Sequence, residues 1–187
     1  MPTLTVVAGP NGSGKSTLTR LGRETFQQDP VLDPDAIAKS LLLEHNSNPS
    51  LMDAGRVVLA RANDQLRNHQ SFLVETTLSG NTYLKMMARA KGLGYSIVLI
   101  FVGTEDVSIN MGRVRARVKK GGHDVPGEDQ LRRYPRSMQN LPKAFDLADE
   151  AILFDNSGSS HRNVCVKDES RVTLYEPVPA WASFLRK

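Results

Sequence analysis

Eight residues near the amino terminus have the types and spacing to hold a polyphosphate: Gly9-Pro10-Asn11-Gly12-Ser13-Gly14-Lys15-Ser16, followed by Thr17. Gly, four residues, then Gly-Lys-Ser is the phosphate-loop pattern, and it comes directly after an apolar run, Leu4 to Ala8. The glycines let the backbone turn its N–H groups toward one point. Lys15 supplies a cation for the β- and γ-phosphates, and the Ser16 hydroxyl is a ligand for a magnesium ion. A helix that starts just after the loop adds the positive end of its dipole to the same point. The chemistry this predicts is binding of ATP or GTP with Mg2+.

Other residues can act on such a ligand. Asp35, after Pro30-Val31-Leu32-Asp33-Pro34, stands at the carboxyl end of a short strand, the edge at which open α/β sheets bind ligands. It serves there as a functional carboxylate or as a helix cap. Glu75 ends the apolar run Ser71 to Val74 in the same manner, and either assists the magnesium ion or accepts hydrogen bonds from a substrate hydroxyl. Arg113 and Arg117 fall one helical turn apart and can converge on one ligand. Gly121-Gly122-His123 then stops the helix, and a second basic stretch follows, Arg132-Arg133-Tyr134-Pro135-Arg136. Two arginine-bearing arms joined by glycines read as a lid over about 113–136, whose arginines neutralise charge on a transferred phosphoryl group. The alternatives are a solvated basic face or a nucleic-acid patch. The turn Asp155-Asn156-Ser157-Gly158 ends another strand, where a nucleotide base can lie.

The elements that position these residues follow from periodicity. Helical spacing behind the loop, at Leu18, Leu21 and Phe26, predicts a first helix to about Gln28, and Ser50 with Asp53 forms a capping box for a helix to about His69. A further helix is expected from about Thr82 to Lys91, then a buried strand from Tyr95 to Val102. Thr104 caps a helix with Val107, Met111, Val114 and Val118 on its apolar stripe. A fifth strand spans Asp149 to Phe154, and residues 163–176 alternate as an edge hairpin, with Trp181 and Phe184 in a last short helix.

The chain has 187 residues and 40% hydrophobic content, which suits one domain with a single core, 1–187. Its one cysteine, Cys165, excludes an internal disulfide, and no apolar run reaches membrane-spanning length; with no basic leader segment, the expectation is a soluble cytoplasmic protein. Net charge is +4, and residues 113–136 carry eight Lys/Arg against three acids, so the basic character belongs to the lid segment.

The segments GPNGSGKST, DPD around Asp35, ETTLSG at 75–80, RVKKGGHDVP at 117–126, RRYPRS and LFDNSG together resemble the short zeta-toxin-like P-loop kinases, over the first strand to about Gly158. The resemblance implies an α/β three-layer sandwich with five parallel strands in the order 2-3-1-4-5, an arginine-bearing lid and, in this chain, a C-terminal hairpin. It implies ATP-dependent phosphorylation of a hydroxyl of a UDP-activated amino sugar such as UDP-N-acetylglucosamine. Asp35 matches the catalytic base, and Glu75 and Thr77 match the substrate-binding acid and threonine, with Arg113 and His123 placed on the substrate side. Lys15 and Ser16 match the nucleotide and metal ligands, while Arg113, Arg117, Arg133 and Arg136 compete for two lid roles, with Arg117, Arg133 and Arg136 set at the phosphoryl group. It also implies an antitoxin protein as a partner. Two other classes stand beside this one: a polynucleotide or nucleoside 5′-hydroxyl kinase whose basic segment tracks a backbone, and a non-catalytic nucleotide-dependent interaction protein. No Asn-Lys-x-Asp base-reading motif is present, which argues against a GTPase.

Overall fold

The computed structural model describes residues 1–21, 30–34, 37, 51–169 and 171–186. Four apolar stretches form parallel strands: β1 (Thr3–Ala8), β2 (Val31–Leu32), β3 (Phe72–Thr76) and β4 (Ser96–Gly103). Three further strands complete one sheet, β5 (Glu150–Asp155), β6 (Arg162–Asp168) and β7 (Arg171–Leu174), in the order β2-β3-β1-β4-β5-β6-β7. The parallel order 2-3-1-4-5 is the expected one. The hairpin does not stand apart from it, however: β6 pairs antiparallel with β5, so the sheet is mixed and has seven strands. Val164 and Cys165 are fully buried by that pairing, which gives the hairpin an apolar reason to join the core.

The helices are α1 (Lys15–Leu21), α2 (Leu51–Arg67), α3 (Asn81–Gly92), α4 (Val107–Val118) and α5 (Gly127–Leu147), with a 3-10 turn at Ala180–Arg186. Alternation along β1 divides its side chains between two faces. Leu4, Val6 and Ala8 join the larger cluster, with Val58 and Leu66 of α2, Met87 of α3 and Leu141 of α5. Val7 joins Leu73 and Ile100 on the other side, beneath Leu18 of α1. Among the described residues no helix is long and apolar enough to cross a membrane.

Two local expectations change. Thr104 does not cap α4; Asp106 does, its carboxylate accepting from the Ser108 N–H at 2.6 Å, and hydrogen bonding from the Ser108 side chain and then from this N–H lowers the Asp106 pKa from its ordinary value. The Thr104 hydroxyl instead donates to Asn110 Oδ1 at 2.7 Å, a buried pair that outweighs a solvent-side cap. The second basic stretch is one part of a 21-residue helix that continues through Pro135 and Pro142. Each proline removes one helical hydrogen bond. The buried stripe Gln130, Ser137, Leu141, Ala144 and Phe145 holds the helix on the core regardless. The ends expected near Gln28 and at Ser50 lie outside the described residues.

Candidate active site

The phosphate loop bridges β1 and α1 at the carboxyl edge of the sheet, and the Gly9 N–H donates to Thr76 O of β3 at 3.2 Å. Gly14 has φ 105°, a conformation that L side chains avoid, and a Cβ there would stand 2.4 Å from Asn156 Nδ2. That amide donates to Ser13 O at 2.7 Å, while Arg113 donates to Asn156 O at 2.7 Å and to Gly158 O at 2.9 Å. Arg113 therefore fixes the 156–158 turn, and the turn fixes the loop. Lys15 is 8% exposed and donates to Gly9 O at 2.8 Å and Pro10 O at 2.9 Å, so a buried ammonium is held by carbonyls where phosphate oxygens would be stronger acceptors. The loop opens on a cavity of about 460 Å³ lined by Lys15, Ser16, Arg113, Arg117, Asn156 and His161, among others. This is the size of pocket that takes a nucleotide.

Glu75 is buried at the end of β3, where its register partner is Val7, two residues before the loop. It accepts from Ser16 Oγ at 2.8 Å and from Thr19 Oγ1 at 3.4 Å. A hydroxyl and a carboxylate side by side are the hard oxygen donors that magnesium takes alongside phosphate oxygens, so Ser16 and Glu75 fit that ion. Among the described residues no group of three or more His, Cys, Asp or Glu could hold a metal ion.

A second cavity, about 230 Å³, shares Asn11, Lys15 and Glu75 with the first and is lined further by Asp33, Thr77, Tyr83, His123 and Arg133. Thr77 is placed by helix α5: its carbonyl accepts from Ser137 Oγ, and the Leu78 carbonyl accepts from Asn140 Nδ2 at 2.9 Å. Leu78 is buried with φ 55°, a conformation uncommon for a residue with a side chain. Arg133 pairs with Asp129 at 3.0 Å, one turn earlier on the same helix. The Tyr83 phenol is pushed up to about 12 by burial, with the charge of Asp33 adding to it.

Arg117 spans the two cavities. It lines the larger one and donates through Nη2 at 2.7 Å to the carbonyl of His123, which lines the smaller. Gly122 makes this possible, because a Cβ at that position would lie 2.5 Å from Arg117 Cγ. Arg113 and Arg117 do meet in one cavity, and it is the one at the phosphate loop: Arg113, expected on the substrate, is absent from the lining of the smaller cavity. Arg136 is exposed and lines neither. Asp35 lies outside the described residues, one and two positions after Pro34 and Asp33 of the smaller cavity. Sequence reasoning missed Tyr83, His161 and Asn110. Asn110 is a buried polar residue on the stripe of α4, visible only as an interruption of its apolar spacing; nothing in the spacing of Tyr83 or His161 marks either one.

A model of the zeta toxin family matches residues 1–176. An uncharacterized protein of Haemophilus influenzae is 38% identical over 128 residues, 67% of this chain and 88% of that protein. Among solved structures, a chain of the AvrRxo1-ORF1:AvrRxo1-ORF2 complex with sulphate ions superposes at TM-score 0.72 with 17% identity, over 95% of this chain and 62% of that one. The same complex with ATP gives 0.72 and 17%, over 93% and 60%. A chain of the PezAT chromosomal toxin-antitoxin system of Streptococcus pneumoniae gives 0.60 and 16%, over 83% and 69%. The present chain thus spans about three fifths of the AvrRxo1 chain it resembles.

Proposed function

The chain belongs to the zeta toxin family, and from that premise we propose that it transfers the γ-phosphoryl group of ATP to a hydroxyl of a UDP-activated amino sugar such as UDP-N-acetylglucosamine. The observation that carries the reading is the junction of the two cavities at Lys15 and Glu75. A nucleotide in the larger one would present its terminal phosphate to an acceptor in the smaller one.

In the reaction, the acceptor oxygen bonds to the γ-phosphorus and the bond from that phosphorus to the bridging oxygen breaks. ADP leaves, and the hydroxyl proton passes to a carboxylate. Asp35 is proposed as that base, on the family resemblance and on its place just after Asp33 and Pro34. Lys15 stabilises the β- and γ-oxygens. Arg117, and Arg133 once released from Asp129, meet the charge of the transferred group. Thr77 and His123 hold the acceptor. Ser16 and Glu75 would hold a magnesium ion, which would supply positive charge to the nucleotide phosphates. A protein antitoxin is proposed as a partner; the likeness to a chain of a toxin-antitoxin system supports it.

The test is to incubate the purified protein with γ-labelled ATP and separate panels of UDP-sugars, nucleosides and oligonucleotides. Label on a UDP-amino sugar is the expected result. Label on oligonucleotide 5′ ends, with binding that weakens steeply as salt is added, would overturn this acceptor in favour of a polynucleotide one.

A further inference from the structure

Tyr83 lies in the first turn of α3, and its ring packs on the main core, so the position of the phenol is set by the fold and not by a ligand. Tyr83 lines the smaller cavity, where Asp33, Thr77 and Glu75 also stand. No hydrogen bond to another described residue engages its hydroxyl, whereas Tyr95 and Tyr134, the other partly buried phenols, donate to backbone carbonyls at 2.6–3.0 Å. The side chain is half-buried and its hydroxyl is not one of the buried polar atoms that lack a partner, so it is open to water or to a ligand. Burial and the neighbouring Asp33 charge keep this one protonated, so it is a hydrogen-bond donor at any working pH.

We propose that the Tyr83 hydroxyl is a specificity-determining contact of the acceptor site and that, with Asp33, it reads one sugar hydroxyl. The inference rests on the kinase reading above and goes beyond it by naming the chemistry that the smaller cavity selects. A phenol that donates beside a carboxylate that accepts calls for one group able to do both. A phosphate at Tyr83 would accept from the phenol but would lie against the Asp33 carboxylate, while the cations of this cavity, Lys15 and Arg133, are assigned above to the transferred phosphoryl group. An ammonium would pair with the carboxylates but has no lone pair for the phenol. A hydroxyl satisfies both at once. A site that hydrogen-bonds a hydroxyl in this way also disfavours an analogue without it, because the analogue displaces water from the phenol and the carboxylate without replacing its hydrogen bonds.

The experiment compares wild type with Tyr83→Phe, which keeps the ring and its packing and removes only the hydroxyl. Initial rates are measured with ATP and UDP-N-acetylglucosamine, and with analogues in which one sugar hydroxyl at a time is replaced by hydrogen. The expected result is a rise of roughly three- to tenfold in the acceptor KM, most of the loss in kcat/KM lying there, and an unchanged KM for ATP. One analogue should erase the difference between the two proteins, since it lacks the hydroxyl that Tyr83 contacts. Equal acceptor KM values for the two proteins overturn the inference, and so does a Tyr83→Phe penalty that is the same for the parent and every analogue, which marks a packing role. If the wild type transfers no label to any of these sugars, the acceptor reading itself falls and this inference falls with it.

Discussion

Lys15 is the residue on which we propose that the nucleotide half of the site depends, because its ammonium is already buried and already held toward the loop carbonyls of Gly9 and Pro10. Lys15→Ala should therefore fold normally, since those carbonyls regain water at a cavity mouth. It should lose at least about a hundredfold in turnover, the scale of removing one preorganised charge contact; kcat within a few-fold of wild type would contradict that role. Asp35 is tested by Asp35→Asn, which keeps the size and capping capacity of the side chain and removes the basic oxygen. Turnover should fall by roughly a hundredfold or more with ATP affinity and Tm unchanged. Near-normal turnover would leave Asp35 as a helix cap. Cys165 belongs to the same scale by contrast: burial pushes its thiol up to about 11, which makes it an inert core residue.

At the scale of elements, the site is held by contacts between segments far apart in sequence, and these were the part that the sequence concealed. The loop motif and the strand-end position of Glu75 were legible, because Gly-Lys-Ser spacing and continuous apolar runs are local signals; the order of the parallel strands came from the family resemblance. The tie from Arg113 through Asn156 to Ser13 joins three segments with no shared periodicity, and no local pattern announces it. Asn156→Ala would leave Ser13 O without its donor; it should cost about 1 kcal/mol of stability and weaken ATP binding more than acceptor binding, as calorimetry of the two ligands would read. Residues 119–126 were legible as a glycine-bearing connection, but the use of Gly122 was not: it makes room for Arg117. Gly122→Ala should displace that arginine and lower kcat by up to about a hundredfold, with little change in ATP affinity. Equal kcat in the variant would show that Arg117 need not pass there. Helix α5 was legible as a helical arm but not in its full length, for a different reason: Pro135 and Pro142 signal a break locally, and only burial of Leu141, Ala144 and Phe145 overrides them.

At the scale of the whole molecule, one sheet edge gathers the loop after β1, the end of β3 and the turn after β5, and the two cavities that result share Asn11, Lys15 and Glu75. Direct transfer across that junction requires both ligands to be bound together. Initial-rate plots against ATP at several acceptor concentrations should intersect; parallel lines, the mark of a covalent enzyme intermediate, would contradict direct transfer. The most direct measurement of the central claim is the fate of the γ-phosphorus itself. With γ-labelled ATP and UDP-N-acetylglucosamine, the wild-type protein should form one phosphate ester on the sugar for each ADP released, and Lys15→Ala should form neither. ADP accompanied only by free labelled phosphate, at the same rate with and without the sugar, would contradict the account.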